Sequence, residues 1–188
     1  MRAFVAVEIP EDLLKTLAGV QAGLKSRGVR ARWTRPENLH LTLKFLGVIA
    51  AGQLDVVTQA LRSTAAAHGA FTLTAAGIGV FPGLRRPRVL WAGLSGATDA
   101  LMQLQRELDD RLEAFGFSRD ARGFHGHLTL GRFTEEAGAG GIAAAISGYA
   151  AECFGGFDVQ ELVLFQSDLK PKGPVYTVLA RAQLRAQG

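Results

Sequence analysis

The tetrapeptide HLTL stands at residues 40–43 and again at residues 127–130, 87 positions apart. Four matching residues are weak evidence of a repeat on their own, but their surroundings match as well. Ahead of the first copy, Ala3–Ile9 is a Val- and Phe-rich run with the character of a strand. After Pro10, Leu13, Leu17, Val20 and Leu24 recur at spacings of 4, 3 and 4, one apolar face of a helix. Ahead of the second copy, Val89–Leu94 (VLWAGL) reads as a strand. Leu101, Leu104, Leu108, Leu112 and Phe115 then recur at 3, 4, 4 and 3, with Gly116 placed to end that helix. Beyond the first copy, Leu54, Val57 and Leu61 predict a helix and Phe71–Phe81 a strand. Beyond the second, Ile142, Ile146 and Tyr149 predict a weaker, Gly-diluted helix and Phe157–Phe165 a strand. The turn-rich Pro82–Pro87 leads into the Val89 strand, as Ser167–Pro174 leads into a last strand, Val175–Ala182.

One plan performed twice predicts an α+β fold in a single domain over 1–188. The first repeat covers about 2–81, the second about 88–167, and a closing strand about 175–182. The copies are too long and too few for a solenoid. The expected architecture is bilobal: two pseudo-twofold-related lobes with mainly antiparallel sheets, flanked by helices around a central cleft.

Composition narrows the function classes. The chain has 188 residues, 48% hydrophobic and 20% charged, a globular balance that excludes a disordered tail or a collagen-like repeat. Cys153 is the single cysteine, so neither an internal disulfide nor a multi-cysteine metal site can form. The first apolar run is too short for a signal peptide, and no stretch reaches about 18 apolar residues, so a cytoplasmic protein with no membrane segment is expected. The net charge of +4 is mild, but Arg27, Arg30, Arg32 and Arg35 crowd one segment, Arg85, Arg86 and Arg88 another, and Lys170 and Lys172 a third. Such clusters suit a phosphate-bearing partner.

Strand alternation puts His40 and Thr42 on one face and Leu41 and Leu43 on the other; His127, Thr129, Leu128 and Leu130 repeat the arrangement. Brought together by a pseudo-twofold, the polar faces form one cleft with two imidazoles and two hydroxyls. In-line displacement at phosphorus needs a proton removed from the entering oxygen and one supplied to the leaving oxygen, which two opposed histidines provide. The threonines can hydrogen-bond the non-bridging oxygens, and Arg132 adds a fixed cation, provided that a twist or bulge at Gly131 turns it onto the histidine face. His125 shares the parity of His127 but has Asn38, not histidine, as its counterpart in the first copy. His68, near the end of an Ala-rich helix, reads as a packing residue. His40, His125 and His127 could in principle ligate a metal, but Glu37 and Asp120 are the nearest acids and neither stands where it would support such a site; no metal and no cofactor are expected. No P-loop, dinucleotide-binding glycine signature, G-x-S-x-G elbow or HExxH is present.

The segments RWTRPENLHLTLKFLG, FPGLRRPRVLW and HGHLTLGRF together resemble the 2H phosphoesterase superfamily, and within it the RNA 2′,3′-cyclic phosphodiesterases also called 2′-5′ RNA ligases. The resemblance spans nearly the whole chain. It implies metal-independent hydrolysis of 2′,3′-cyclic phosphate ends, on RNA or nucleotides, to 2′-phosphomonoesters by a monomer. His127 would be the proton acceptor that activates water and His40 the proton donor to the departing 3′ oxygen. Thr42, Thr129 and Arg132 match the phosphate-binding positions, and Phe45 would line the base or ribose side. Gly126 departs from the pattern, standing where the family often has proline. Alternative readings are another cyclic or 2′-5′-linked phosphodiester, reversal into ligation, or a module that holds RNA ends without turnover. A cation beside His127 favours its neutral form, so His40 is expected to hold its proton the more readily.

Overall fold

A computed structural model describes every residue except 122, 134–138, 172 and 187–188, so Lys172 lies outside the described residues. Among the described residues nine strands form one curled sheet, with four α-helices packed mainly on one face. The strands are β1 (Arg2–Glu8), β2 (Arg32–Trp33), β3 (His40–Val48), β4 (Phe71–Phe81), β5 (Val89–Gly96), β6 (Leu128–Arg132), β7 (Cys153–Val159), β8 (Glu161–Lys170) and β9 (Gly173–Gln183). The helices are α1 (Glu11–Ser26), α2 (Leu54–Ala67), α3 (Thr98–Glu113) and α4 (Ala139–Ser147). Helix α1 starts behind Pro10 with Glu11 and Asp12 in its first turn, where carboxylates meet the positive end of the helix dipole, and buries Leu13, Leu17, Val20 and Leu24 as its periodicity predicts. Helix α3 buries Leu101, Leu104, Leu108 and Leu112.

The predicted stripe of α3 runs one residue too far. Phe115 is exposed and Phe117 takes the core position instead. The helix ends at Glu113, and Gly116, at φ +87°, turns the chain back so that the Phe117 N–H donates to the Leu112 carbonyl. The predicted strand Phe157–Phe165 is two strands, broken at Gln160. Alternation missed the break because Leu162–Phe165 are buried on both faces and the apolar run continues through it.

The sheet order is β7-β4-β5-β6-β3-β1-β8-β9, with β2 added on β6, and these strands pair antiparallel throughout. The two HLTL strands, β3 and β6, are neighbours at its centre. Flanking them, β4 pairs with β5 and β7, and β8 pairs with β1 and β9. Each half of the sheet therefore draws strands from both sequence repeats: the half around β5 and β6 includes β4 from the first, and the half around β1 and β3 includes β8 from the second. Short connections favour pairing of consecutive strands, which is why β4 joins β5 rather than β1. Val5, Val7, Leu41, Leu128 and Leu130 face the main core with the helical leucines, while Phe4 and Ala6 face the other side, where they cluster with Val163, Phe165 and Tyr176.

Candidate active site

The centre of the sheet is pinned by the pair Leu41–Leu128. One antiparallel step to either side sets His40 opposite Thr129 and Thr42 opposite His127, so both motifs present their polar side chains on one surface. Beyond the threonines, each strand carries a bulge at the same motif position. In the β1–β3 pairing Ala6 faces Thr42 and Val5 faces Lys44, which leaves Leu43 as the extra residue. In the β5–β6 pairing Trp91 faces Thr129 and Leu90 faces Gly131, which leaves Leu130 extra. A bulge resets side-chain parity. Phe45, paired with Phe4, therefore shares the face of His40 and Thr42, and Arg132, paired with Val89, shares the face of His127 and Thr129. The irregularity that Arg132 requires is present, one residue before Gly131.

The two histidines are held alike. His40 Nδ1 lies 2.8 Å from the Asn38 carbonyl and His127 Nδ1 2.6 Å from the His125 carbonyl. A carbonyl only accepts, so each Nδ1 carries the hydrogen and each Nε2 is left to take up or release the working proton. Asn38 and His125 thus occupy corresponding positions and contribute the same backbone group. The Asn38 side chain also donates to the Pro174 carbonyl at 3.0 Å, fixing the start of β9.

The rings differ in their surroundings. His40 stacks on Phe4 at 4.8 Å between centroids and meets Tyr176 edge-on at 5.3 Å. His127 meets Phe81 edge-on at 5.1 Å. Burial pushes His40 from the usual imidazole value down to about 4, opposed only in part by the Asn38 hydrogen bond. Burial also lowers His127; the His125 hydrogen bond opposes it, and the charges of Arg132 and His125 add to the lowering. The expectation that His40 holds its proton more readily is overturned for the free protein. The Arg132 effect has the expected sign, but enclosure by Phe4 and Tyr176 outweighs it. Tyr176 is raised by burial, with the Arg132 charge opposing, so this guanidinium acts electrostatically on both sides of the site.

A cleft of about 530 Å³ is lined by Thr42, Phe45, His127, Thr129 and Arg132, with His125 beside them. His40 is recessed from this lining. Phe45 is 68% exposed, a free aromatic face at the cleft. The cleft continues between β3 and residues 118–120 and 123–127 to α3. There the buried Lys44 pairs with Asp109 at 2.5 Å and donates to the Ser118 carbonyl at 2.6 Å, while Gln105 donates to Asp109 at 2.7 Å. Phe4, Phe81, Tyr176 and Lys44 were not predicted for the site. The parity of Phe4 was legible, but its neighbour His40 belongs to a strand more than thirty residues away. A larger hollow of about 790 Å³, with Glu8, Glu37, Asp158 and Glu161 in its wall, contains none of the predicted residues and has the wrong charge for a phosphate.

Among the remaining candidates, His68 bonds Glu107 at 2.8 Å as a packing residue. Arg27 donates to the Ala145 carbonyl and lies 4.9 Å over the Tyr149 ring, a structural role instead of a phosphate contact. Arg85, Arg86 and Arg88 are exposed on the loop that starts from Phe81, closed by the Arg88 N–H on the Phe81 carbonyl. Among the described residues no group of three or more His, Cys, Asp and Glu could hold a metal ion, and no helix is long and apolar enough to cross a membrane.

Known proteins are similar to the chain over most of its length. A family model described as LigT like Phosphoesterase matches residues 7–91 and 94–176. A protein of Methanothermobacter thermautotrophicus named RNA 2′,3′-cyclic phosphodiesterase is 36% identical over 177 residues, 94% of this chain and 95% of the relative. One of the same name from Archaeoglobus fulgidus is 35% identical over 183 residues, 94% of this chain and 96% of the relative. Among solved structures, one from Thermus thermophilus superposes with a TM-score of 0.80 at 30% identity, covering all of both chains. Escherichia coli LigT in complex with 3′-AMP gives 0.79 at 27% identity, covering 97% of each.

Proposed function

The chain belongs to the LigT-like phosphoesterase family, and from that premise we propose that it is an RNA 2′,3′-cyclic phosphodiesterase, hydrolysing cyclic phosphate ends to 2′-phosphomonoesters by paired-histidine acid–base catalysis without a metal ion. The observation that carries this reading is the pairing of Leu41 with Leu128, which sets the two His–Thr pairs on one surface, together with the bulges at Leu43 and Leu130, which add Phe45 and Arg132 to it. The names of the relatives, and the nucleotide bound by Escherichia coli LigT, support the substrate class.

In this mechanism the cyclic phosphate sits over the central strand pair, its non-bridging oxygens taken by the Thr42 and Thr129 hydroxyls and by Arg132. His127 Nε2 accepts the proton of the attacking water. His40 Nε2 donates a proton to the 3′ oxygen as its bond to phosphorus breaks, leaving the phosphate on the 2′ oxygen. Each transfer contributes about 10²–10⁴ in rate. His40 is neutral in the free protein at neutral pH, so it takes up a proton from solvent as the substrate binds: the phosphodiester anion supplies the counter-charge that the aromatic enclosure withholds. Phe45 offers its exposed ring to the base.

Incubation with a nucleoside 2′,3′-cyclic phosphate in EDTA tests the reading, with the product isomer identified by phosphorus NMR. Turnover to the 2′-phosphate is expected. Binding without turnover would make the protein a module for RNA ends, and turnover only on restoring a metal would overturn the two-histidine mechanism.

A further inference from the structure

Strand β2 is two residues long and pairs only with β6, setting Arg32 directly opposite Arg132 and Trp33 opposite Gly131. Direct cross-strand partners have Cβ atoms about 4.5–5.5 Å apart, and like charges so placed destabilise a sheet. Among the described residues neither guanidinium has a carboxylate partner.

The repulsion is built into a firm frame. The Leu130 carbonyl, at the bulge that aims Arg132, accepts from the Thr34 N–H at 3.0 Å and from Gln21 Nε2 at 2.8 Å. Gln21, only 3% exposed, also donates to the Thr34 carbonyl at 2.8 Å. Gly131 lets β2 approach closely: a Cβ there would lie 3.3 Å from the Arg32 carbonyl oxygen. The structure that turns one arginine onto the histidine face therefore holds a second one beside it.

A fixed pair of like charges is relieved by an anion lying between or above them. Under the function proposed above, on which this inference rests, Thr42, Thr129 and Arg132 already serve the two free oxygens of the cyclic phosphate. We propose that Arg32 forms a second anion subsite, which takes the 5′ phosphate of the nucleotide that carries the cyclic end. On RNA this is the first phosphodiester of the polymer body, so the subsite distinguishes an RNA terminus from a lone nucleoside cyclic phosphate.

The test compares Arg32→Gln with the parent on a nucleoside 2′,3′-cyclic phosphate and on the same compound bearing a 5′ phosphate, and separately measures binding of a short oligoribonucleotide against salt. The kcat/KM for the 5′-phosphorylated substrate is expected to fall about tenfold and that for the unphosphorylated one to change less than twofold, as for the removal of one phosphate interaction. The slope of log K against log salt should fall by about 0.7, the value for one phosphate neutralised on a single strand, and Arg32→Lys should restore it. Removing the repulsion should leave thermal stability equal or higher. Equal losses on both substrates would move Arg32 to the cyclic phosphate and overturn the proposal, as would no loss on either together with an unchanged salt slope. The oligoribonucleotide arm needs no turnover, so a protein that binds but does not hydrolyse would overturn the function while still deciding the subsite.

Discussion

At the scale of single residues, the imidazoles decide the chemistry and burial decides the imidazoles. His40→Ala and His127→Ala should each lower kcat by about 10²-fold or more without unfolding the protein, and the double variant should be scarcely worse than either, because the two act as a unit. Steady-state kinetics on a cyclic mononucleotide check this, and near-native activity in either single variant would remove the pair from the mechanism. His40 also leaves a mark on stability. Its value is lowered from 6.5 to about 4 on folding, so the unfolded chain binds the proton more readily. The folded state is at no disadvantage above pH 6.5 and loses stability as pH falls from there towards 4, by at most about 1.4 kcal/mol per unit. Urea denaturation across that range should show the slope, and His40→Gln should flatten it. The same enclosure makes the bound phosphate the source of the acid's charge: nitrogen NMR should show His40 protonated at neutral pH with a non-hydrolysable 2′,3′-cyclic phosphate analogue bound and neutral without it. If His127 carried the proton in that complex instead, donor and acceptor would exchange roles.

At the scale of elements, the bulges and the segment leading to His127 set the geometry. Leu43 and Leu130 interrupt their ladders at matching points, and each break brings the residue five past its histidine onto the working face. Residues 118–121 and 123–127 have no regular structure, and the Ser118 end is fastened by Lys44 to α3 through Asp109. Gly126 gives this approach more backbone freedom than the proline often found there, but its neighbours confine it, since a Cβ at Gly126 would lie 2.8 Å from Leu101 and 3.2 Å from Leu94. Lys44→Met strands the Asp109 carboxylate in the core and should cost about 3–5 kcal/mol, whereas Lys44→Met with Asp109→Leu should recover most of it, because an apolar pair can replace a buried ion pair. Chemical denaturation distinguishes these outcomes; a single variant as stable as the parent would show that the carboxylate is solvated.

At the scale of the whole molecule, the order of the sheet puts the cleft at the seam between two halves that each borrow a strand from the other repeat. The seam is flanked by β2 on one side and by the Pro82–Pro87 turn, rooted at Phe81 against His127, on the other. Neutralising Arg85, Arg86 and Arg88 should weaken the binding of longer RNA and reduce its salt dependence by about 0.7 for each phosphate no longer neutralised, while turnover of a cyclic mononucleotide hardly changes. Titrations of an oligoribonucleotide at several salt concentrations measure this, and an equal loss on the mononucleotide would place the loop in the phosphate site.

The sequence alone determined what depends on local periodicity and on identity at fixed spacing. The strands ahead of each HLTL, the strand behind the first, the apolar faces of α1 and α3, and the candidate residues His40, Thr42, His127 and Thr129 were all readable, because alternation and the 3.6-residue period act within one element. The need for an irregularity before Arg132 was readable as a conflict of parity. Tertiary structure decided the rest, for reasons that no local pattern contains. A bulge is a relation between two strands, so its place at Leu130, and its twin at Leu43, appeared only with the partner register. The break at Gln160 was hidden because β8 is buried on both faces. The enclosure of His40 by Phe4 and Tyr176, which reverses the expected order of the two imidazoles, joins the first strand of the chain to the last. Desolvation depends on everything packed around a group, and sequence distance sets no limit on where that packing comes from.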